Sequence, residues 1–491
     1  MAFNKMALVG SQSRKMGKVY PGGLLFLLVA AFSVRAYDIG TRGLWYDELQ
    51  SVTHAILPVQ SLLASVGQFD PHPPLYYLQL HFWILLGTTD AQIKLNSVLW
   101  SLAALLSLAH VSKEAFGAQR SLTATALFAF APFAVIYSQE ARMYSMLMCL
   151  SIGQFYVLYL ILKNRITVGR WVALLAVTLA ILYSHGAAFL IFLPLSLCFL
   201  MHIRSDSGRS KEQILAWLLL FLILILSYWP WLQRARTVFL GHTMTPTVTE
   251  IVDTLFLVQW GFNGRLPSFI LWIATTSVFA LWLYAWNGKD KNSQLVLLGY
   301  VVAPILATLF ISYSYRPIWL HRTFAFSLPF MCLCLALAIP KLPTLIPGLG
   351  ARVPQAAFIA IGLLLVAQVL AIVAQQRSFL YEWDFRSAAS FIAENAKADD
   401  RLYVPNERVF WGVAWYLLGP GQISPLHPVS LIATKDSWRT DTTGESPEWE
   451  SRDFWVVRRE IDPVSPIADQ KAAIAMDFRK LHVLYFSSKN R

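Results

Sequence analysis

Apolar residues in this chain gather into long runs, without the strict alternation of a half-buried strand or the narrow stripe of a soluble helix. Gly22–Val34, Leu215–Leu226 and Phe358–Val373 are the clearest of them. A helix needs about 20 mostly apolar residues to cross a bilayer. Runs on that scale recur, so the pattern predicts an all-α polytopic membrane protein. Eleven spans are expected near 21–38, 92–112, 120–137, 143–162, 171–184, 187–203, 213–232, 267–286, 294–312, 323–340 and 355–375. An odd count puts the N-terminus in the cytoplasm and the C-terminus outside.

Three segments on the expected outer side are too long to be simple turns. Residues 39–91 mix Trp, His, Pro and carboxylates with apolar patches at Ser61–Val66 and Leu75–Leu86, the pattern of short helices lying along the interface. Residues 233–266 form a second loop, with Thr249–Leu257 expected as helix. Beyond 375 the composition changes sharply and no span-length apolar run remains. There Asp384–Asn395 reads as an amphipathic helix, and Arg401–Val404, Phe454–Val457 and Leu481–Phe486 read as strands. The expected organisation is a membrane domain over 1–375 and a small soluble α/β domain over 376–491. There is no internal repeat.

Composition agrees with this reading and narrows it. The 491 residues are 56% hydrophobic and 14% charged, where soluble proteins keep roughly a quarter charged. The net charge of +12 would suit a nucleic-acid binder, but its distribution does not. Cations fall in alternate loops (Lys5 to Lys18, Lys113 with Arg120, Lys163 to Arg170, Arg204 to Lys211, Lys289 with Lys291, Lys341 with Arg352), which is the positive-inside pattern. With no basic run, nucleic acid is not an expected partner. Cys149, Cys198, Cys332 and Cys334 all lie in expected spans and read as small packing residues. No N-x-S/T sequon is present, in keeping with a bacterial chain.

Three polar motifs stand out against this background. Trp45-Tyr46-Asp47-Glu48 places adjacent carboxylates just beyond the first span, an arrangement that like-charge repulsion makes awkward. In the same loop, the prolines of Asp70-Pro71-His72-Pro73-Pro74 stiffen the backbone around two ionisable groups. Ser138-Gln139-Glu140-Ala141-Arg142-Met143-Tyr144 joins two spans with almost no loop, so Glu140 and Arg142 must sit at the membrane boundary, snorkelling or functional. Arg316 and Arg322, in Arg316-Pro317-Ile318-Trp319-Leu320-His321-Arg322, run against the positive-inside trend. A guanidinium fork matched to phosphate would explain them, as would packing in an aromatic belt. His185, at a helix end, is a weaker candidate of the same kind. Acids can deprotonate an acceptor hydroxyl and arginines can hold a departing phosphate, a combination suited to sugar transfer from a lipid-phosphate donor.

The order W-Y-D-E, D-x-H-P-P-L-Y-Y, S-Q-E-A-R-M-Y-S resembles the bacterial branch of the protein mannosyltransferase superfamily. That branch includes the aminoarabinose lipid A transferases and the galacturonosyltransferases of lipopolysaccharide core. The likeness is most specific over residues 40–150, weakens towards 340, and adds little in the C-terminal segment. It implies a GT-C fold, catalytic periplasmic loops, an inner-membrane location and inverting transfer from a polyprenyl-phosphate sugar. The acceptor would be a glycan, lipid or protein hydroxyl. Asp47 matches the first-loop acid that acts as base, and Glu48 is its neighbour. Glu140, Arg142 and Tyr144 fall in the second polar motif, Arg322 matches an arginine ahead of a late span, and Arg316, His72 and His185 complete the expected substrate-binding set. The resemblance admits a divalent metal ion near the first-loop acid, with Asp47, Glu48 and His72 as candidate ligands, and implies no other cofactor. Two rival readings remain open from the residues alone: a transporter or lipid flippase, and a non-catalytic factor for polysaccharide assembly. Transporters place ionisable groups near the midplane and often repeat their halves, unlike this chain.

Overall fold

Most of the expected spans fold as helices. A computed structural model describes residues 2–66, 72–163, 165–204, 210–238, 245–260, 291–339, 353–378, 383–397, 400–404, 407–419, 453–459, 472–478 and 481–486. Among the described residues, seven helices are long and apolar enough to cross a membrane, and an eighth span counts if one bent pair is a single crossing. Shorter apolar helices at Val168–Leu182 and Phe358–Val373 cover two more expected spans. The span expected at 267–286 lies outside the described residues.

The chain divides into two units. The first comprises Met1–Tyr37, Gly67–Tyr76 and Ser97–Gln376, and the second Asp38–Val66, Tyr77–Asn96 and Arg377–Arg491.

The membrane unit holds helix α1 (Ala2–Ala36) and the bent pair Ala118–Ala129 and Pro132–Ser138, which meet at 59°. Pro132 supplies a reason for the bend, since it has no N–H to offer the carbonyl of Phe128 four residues back. Arg35, fully buried near the end of α1, meets the carbonyls left at that break. Its Nη1 donates to Ala129 O at 2.7 Å, its Nη2 to Phe128 O at 3.4 Å, and its Nε to Ser101 Oγ at 2.9 Å. In return, Gln139 Nε2 donates to the carbonyls of Arg35 at 3.1 Å and Tyr37 at 3.0 Å. The second polar motif is thus tied to the end of the first span. Elsewhere, Tyr300 donates to Gln154 at 2.5 Å and Gln154 to Thr178 at 2.8 Å, the kind of bond that joins helices where water is absent.

In the second unit a four-stranded sheet runs in the order β1 (Arg401–Tyr403), β2 (Phe454–Arg459), β4 (Leu481–Phe486), β3 (Ile474–Phe478), with β1 parallel to β2 and the other pairs antiparallel. Phe454 lies opposite Phe486 in register and stacks on it, with ring centroids 5.0 Å apart. The helix Phe385–Asn395 is capped by the Asp384 carboxylate, which accepts Ser387 N–H at 3.1 Å, and it buries Phe385, Ala388, Ala389 and Ile392. Glu407–Leu418 buries Val409, Phe410, Val413 and Ala414. Gly412 allows the close approach of these two helices, because a Cβ there would overlap the Phe385 ring. Helix α2 (Tyr46–Ala55), which carries the first acidic motif, belongs to this unit with Val59–Ser65.

Candidate functional site

Two groups of polar side chains emerge, one in each unit. In the membrane unit, His72 opens the rigid His-Pro-Pro turn that leads into the helix starting at Leu75. Its Nδ1 accepts the Gly186 N–H at 3.1 Å, so the matching neutral tautomer carries its proton on Nε2. The Leu75 N–H donates to Tyr183 O at 2.9 Å, fixing the same turn from its other end. The ring of His185 lies 4.6 Å from that of His72, and its Nδ1 accepts Ala187 N–H at 3.1 Å, capping the 3₁₀ turn Gly186–Ile191. Tyr144 continues the row at 5.7 Å from His185, and Tyr137 packs on Tyr144 at 4.6 Å. His321, next to Arg322, lies 6.3 Å from Tyr137.

Charge is concentrated beside these rings. Burial, then the guanidinium charge of Arg142, then that of Arg322 hold the His72 pKa well below its usual range. His72 is therefore neutral at physiological pH, beside two cations of different chain segments. Arg142 and Glu140 are both buried, and Ser97 donates to Arg142 O at 3.3 Å. Arg322 is the second residue of the turn His321–Ser327 and is half-buried. Arg316, half-buried beyond the helix Lys291–Ser314, is not among the charges that act on His72. The structure thus brings together His72, His185, Tyr144, Arg142 and Arg322 of the expected set.

Asp47 and Glu48 occupy the first turn of α2, where a helix N-terminus favours negative charge. Glu48 is fully buried. Its Oε2 accepts the Trp45 N–H at 3.1 Å, as in a capping box, and lies 3.9 Å from Lys94 Nζ. Asp47 is half-buried, and its backbone carbonyl accepts Ser51 Oγ. The adjacent acids are therefore mounted differently: Glu48 is committed to holding the helix start, and Asp47 is the more accessible of the two. That commitment fits Glu48 poorly to a metal. Among the described residues, no three His, Cys, Asp or Glu side chains group in a way that could hold one.

Residues 71–231, about a third of the chain, match the family model of dolichyl-phosphate-mannose-protein mannosyltransferases. Similarity to solved structures extends further. The apo structure of ArnT from Cupriavidus metallidurans aligns with a TM-score of 0.62 at 14% identity, over 96% of this chain and 98% of that one. The chain has the GT-C fold. The same ArnT bound to undecaprenyl phosphate aligns at 0.59 and 13% identity, over 94% of this chain and 98% of that one. An oligosaccharyltransferase of Archaeoglobus fulgidus, tethered to an acceptor peptide, aligns at 0.50 and 12%, over 82% of this chain and 63% of that one. No curated protein sequence gives a significant match.

Sequence reasoning missed part of the GT-C chain's polar framework. Asp90 and Lys94 sit in the first turns of the long helix Asp90–Phe116, and both are buried. Lys94 Nζ donates to the carbonyls of Arg42 at 3.0 Å and Gly43 at 3.2 Å. Asp90 accepts from Tyr416 OH at 2.8 Å and pairs with Arg386. Burial pushes the Tyr416 phenol up to about 12, so it stays protonated and donates. A signal existed for Asp90 and Lys94: charged residues at the start of an apolar run, at the end expected to lie outside, need partners. No local signal marks Arg386 or Tyr416.

Proposed function

We propose that this membrane protein is an inverting glycosyltransferase that moves a sugar from a polyprenyl-phosphate carrier to a hydroxyl acceptor. The observation that carries this reading is the charge of Arg142 and Arg322 converging on a neutral His72, with His72 and Arg142 inside the mannosyltransferase match. Guanidinium forks suit a lipid phosphate bidentately, and a neutral imidazole N–H adds a further donor. The ArnT structure with undecaprenyl phosphate supports a lipid-phosphate donor for the same fold.

In this reading Asp47 takes the proton of the acceptor hydroxyl as the new bond forms at the anomeric carbon. The bond from that carbon to the phosphate oxygen breaks from the opposite face, which inverts the centre. The electron pair leaves on the phosphate, where the arginines stabilise it. Glu48 orients the helix that presents Asp47. The acceptor is a hydroxyl of lipid A, core or surface polysaccharide, or protein. The reaction belongs to the outer face of a bacterial inner membrane, with the N-terminus cytoplasmic and the C-terminal segment periplasmic.

Purified protein in proteoliposomes with a radiolabelled polyprenyl-phosphate sugar and a panel of glycan, lipid and peptide acceptors tests the proposal. Transfer that survives a chelator is expected. Movement of the intact lipid between leaflets without sugar transfer would replace the reading with a flippase, and chelator-sensitive transfer would assign a metal to the acid. Impermeant labelling of Thr167→Cys and Asn395→Cys in intact cells reads the orientation, and equal reactivity would overturn it.

A further inference from the structure

The loop that delivers Asp47 has almost every peptide group from Gly40 to Trp45 held by a side chain. Arg386 Nη1 donates to the carbonyls of Gly40 at 3.0 Å and Thr41 at 3.3 Å, and its Nη2 to that of Arg42 at 3.4 Å. Lys94 takes the carbonyls of Arg42 and Gly43. Tyr416 OH accepts the Leu44 N–H at 2.6 Å, and the Glu48 carboxylate accepts that of Trp45. Gly43 lets Tyr416 approach, since a Cβ there would lie 3.0 Å from the phenol oxygen. Asp90 ties the assembly together by pairing with Arg386 and accepting from Tyr416, and the Arg386 guanidinium sits 5.7 Å over the Tyr416 ring.

An irregular loop has no ladder to satisfy its backbone, and a side chain mounted on it is only as well placed as that backbone. We infer that Arg386, Tyr416 and Asp90 form a positioning clamp, through which the segment beyond residue 377 fixes the strand of chain leading to Asp47 and so sets the rate of transfer. The clamp gives the C-terminal segment a part in the reaction without placing any of its residues on the substrate. It rests on the reading of Asp47 as the acid that takes the acceptor proton.

Tyr416→Phe is the mildest test, because it removes the acceptor for Leu44 N–H and the donor to Asp90 but keeps the ring. It should lower kcat about tenfold while leaving KM for the lipid-linked donor within twofold, and Arg386→Gln should do the same. Hydrogen exchange at residues 41–55 should speed up in both variants, and the membrane helices should exchange as before. In an Asp47→Asn background, Tyr416→Phe should cause no further loss, since groups acting through one another are not additive. Unchanged kcat and exchange in both single variants would overturn the clamp, as would an undiminished tenfold loss in the Asp47→Asn background. If the wild-type protein transfers no sugar, the functional reading fails, and the exchange rates at 41–55 still decide whether the clamp holds the loop.

Discussion

The His72 group and the Asp47 loop use charge in opposite ways. At His72 two guanidinium charges, those of Arg142 and Arg322, both disfavour a proton on the ring. Around the Asp47 loop the charges alternate, with Lys94 beside Glu48 and Arg386 beside Asp90. One arrangement concentrates a field; the other cancels charge locally and spends its hydrogen bonds on backbone. Concentrated positive charge suits an anionic ligand, whereas a balanced network suits the rigid mounting of a neighbouring group. The comparison therefore separates residues whose loss should change chemistry from residues whose loss should change geometry.

The sharpest way to break it is Asp47→Asn. Amide replaces carboxylate at nearly constant size, and Glu48 still caps the helix through Trp45 N–H. Loss of base catalysis should lower kcat by about 10²–10⁴-fold. Helix stability should change little, since a first-turn charge contributes only about 0.3–1 kcal/mol. Turnover of purified Asp47→Asn within a few-fold of wild type would remove the base assignment.

A smaller effect is expected at Arg322. Lysine keeps the charge but loses the planar fork, and a hydrogen bond to a charged group is worth about 1.5–3 kcal/mol. Arg322→Lys should raise KM for the donor roughly 10–100-fold, with a smaller change in kcat. Competition by sugar-free polyprenyl phosphate should weaken in parallel. An unchanged inhibition constant would show that Arg322 does not meet the phosphate.

How much of this could be read from the chain depends on the range of the interactions. Spans are local: length and apolarity decide them, so ten of the eleven expected segments fall on described helices. Val59–Ser65 and Phe385–Asn395 were likewise legible, because one face of each carries its own apolar pattern. The expected span at 120–137 proved to be two helices, a break for which Pro132 was the local clue. Glu407–Leu418 was not anticipated. Its apolar residues are packed by partners distant in sequence, such as Phe385 against Gly412. Strand β3 was missed for the opposite reason: it is an edge strand with mostly exposed side chains and gives no alternation to detect. The motif residues at 47, 72, 142 and 322 were visible because ions beside apolar runs are conspicuous. Arg386 and Tyr416 were not, since their meaning lies in a loop more than 300 residues away.

The smallest effect expected is a dependence on pH at His72. The described groups that bear on this ring include Arg142, Arg322 and the neighbouring imidazole of His185. Burial and the two guanidinium charges lower the folded-state pKa well below 6.5, whereas the unfolded chain takes up a proton near 6.5. The unfolded state therefore binds more protons as pH falls, so this contribution is complete above pH 6.5 and is lost progressively below it, down to the folded pKa. His72→Gln removes the titration while still offering an acceptor for the Gly186 N–H. Denaturant unfolding in detergent at pH 7.5 and 5.5 should then show wild type losing more stability than the variant. Arg322→Gln should shrink that excess without abolishing it, because burial is the largest cause and Arg142 remains. Parallel losses in wild type and His72→Gln would mean that the ring is solvated, and the concentrated field that distinguishes this group from the Asp47 loop would be gone.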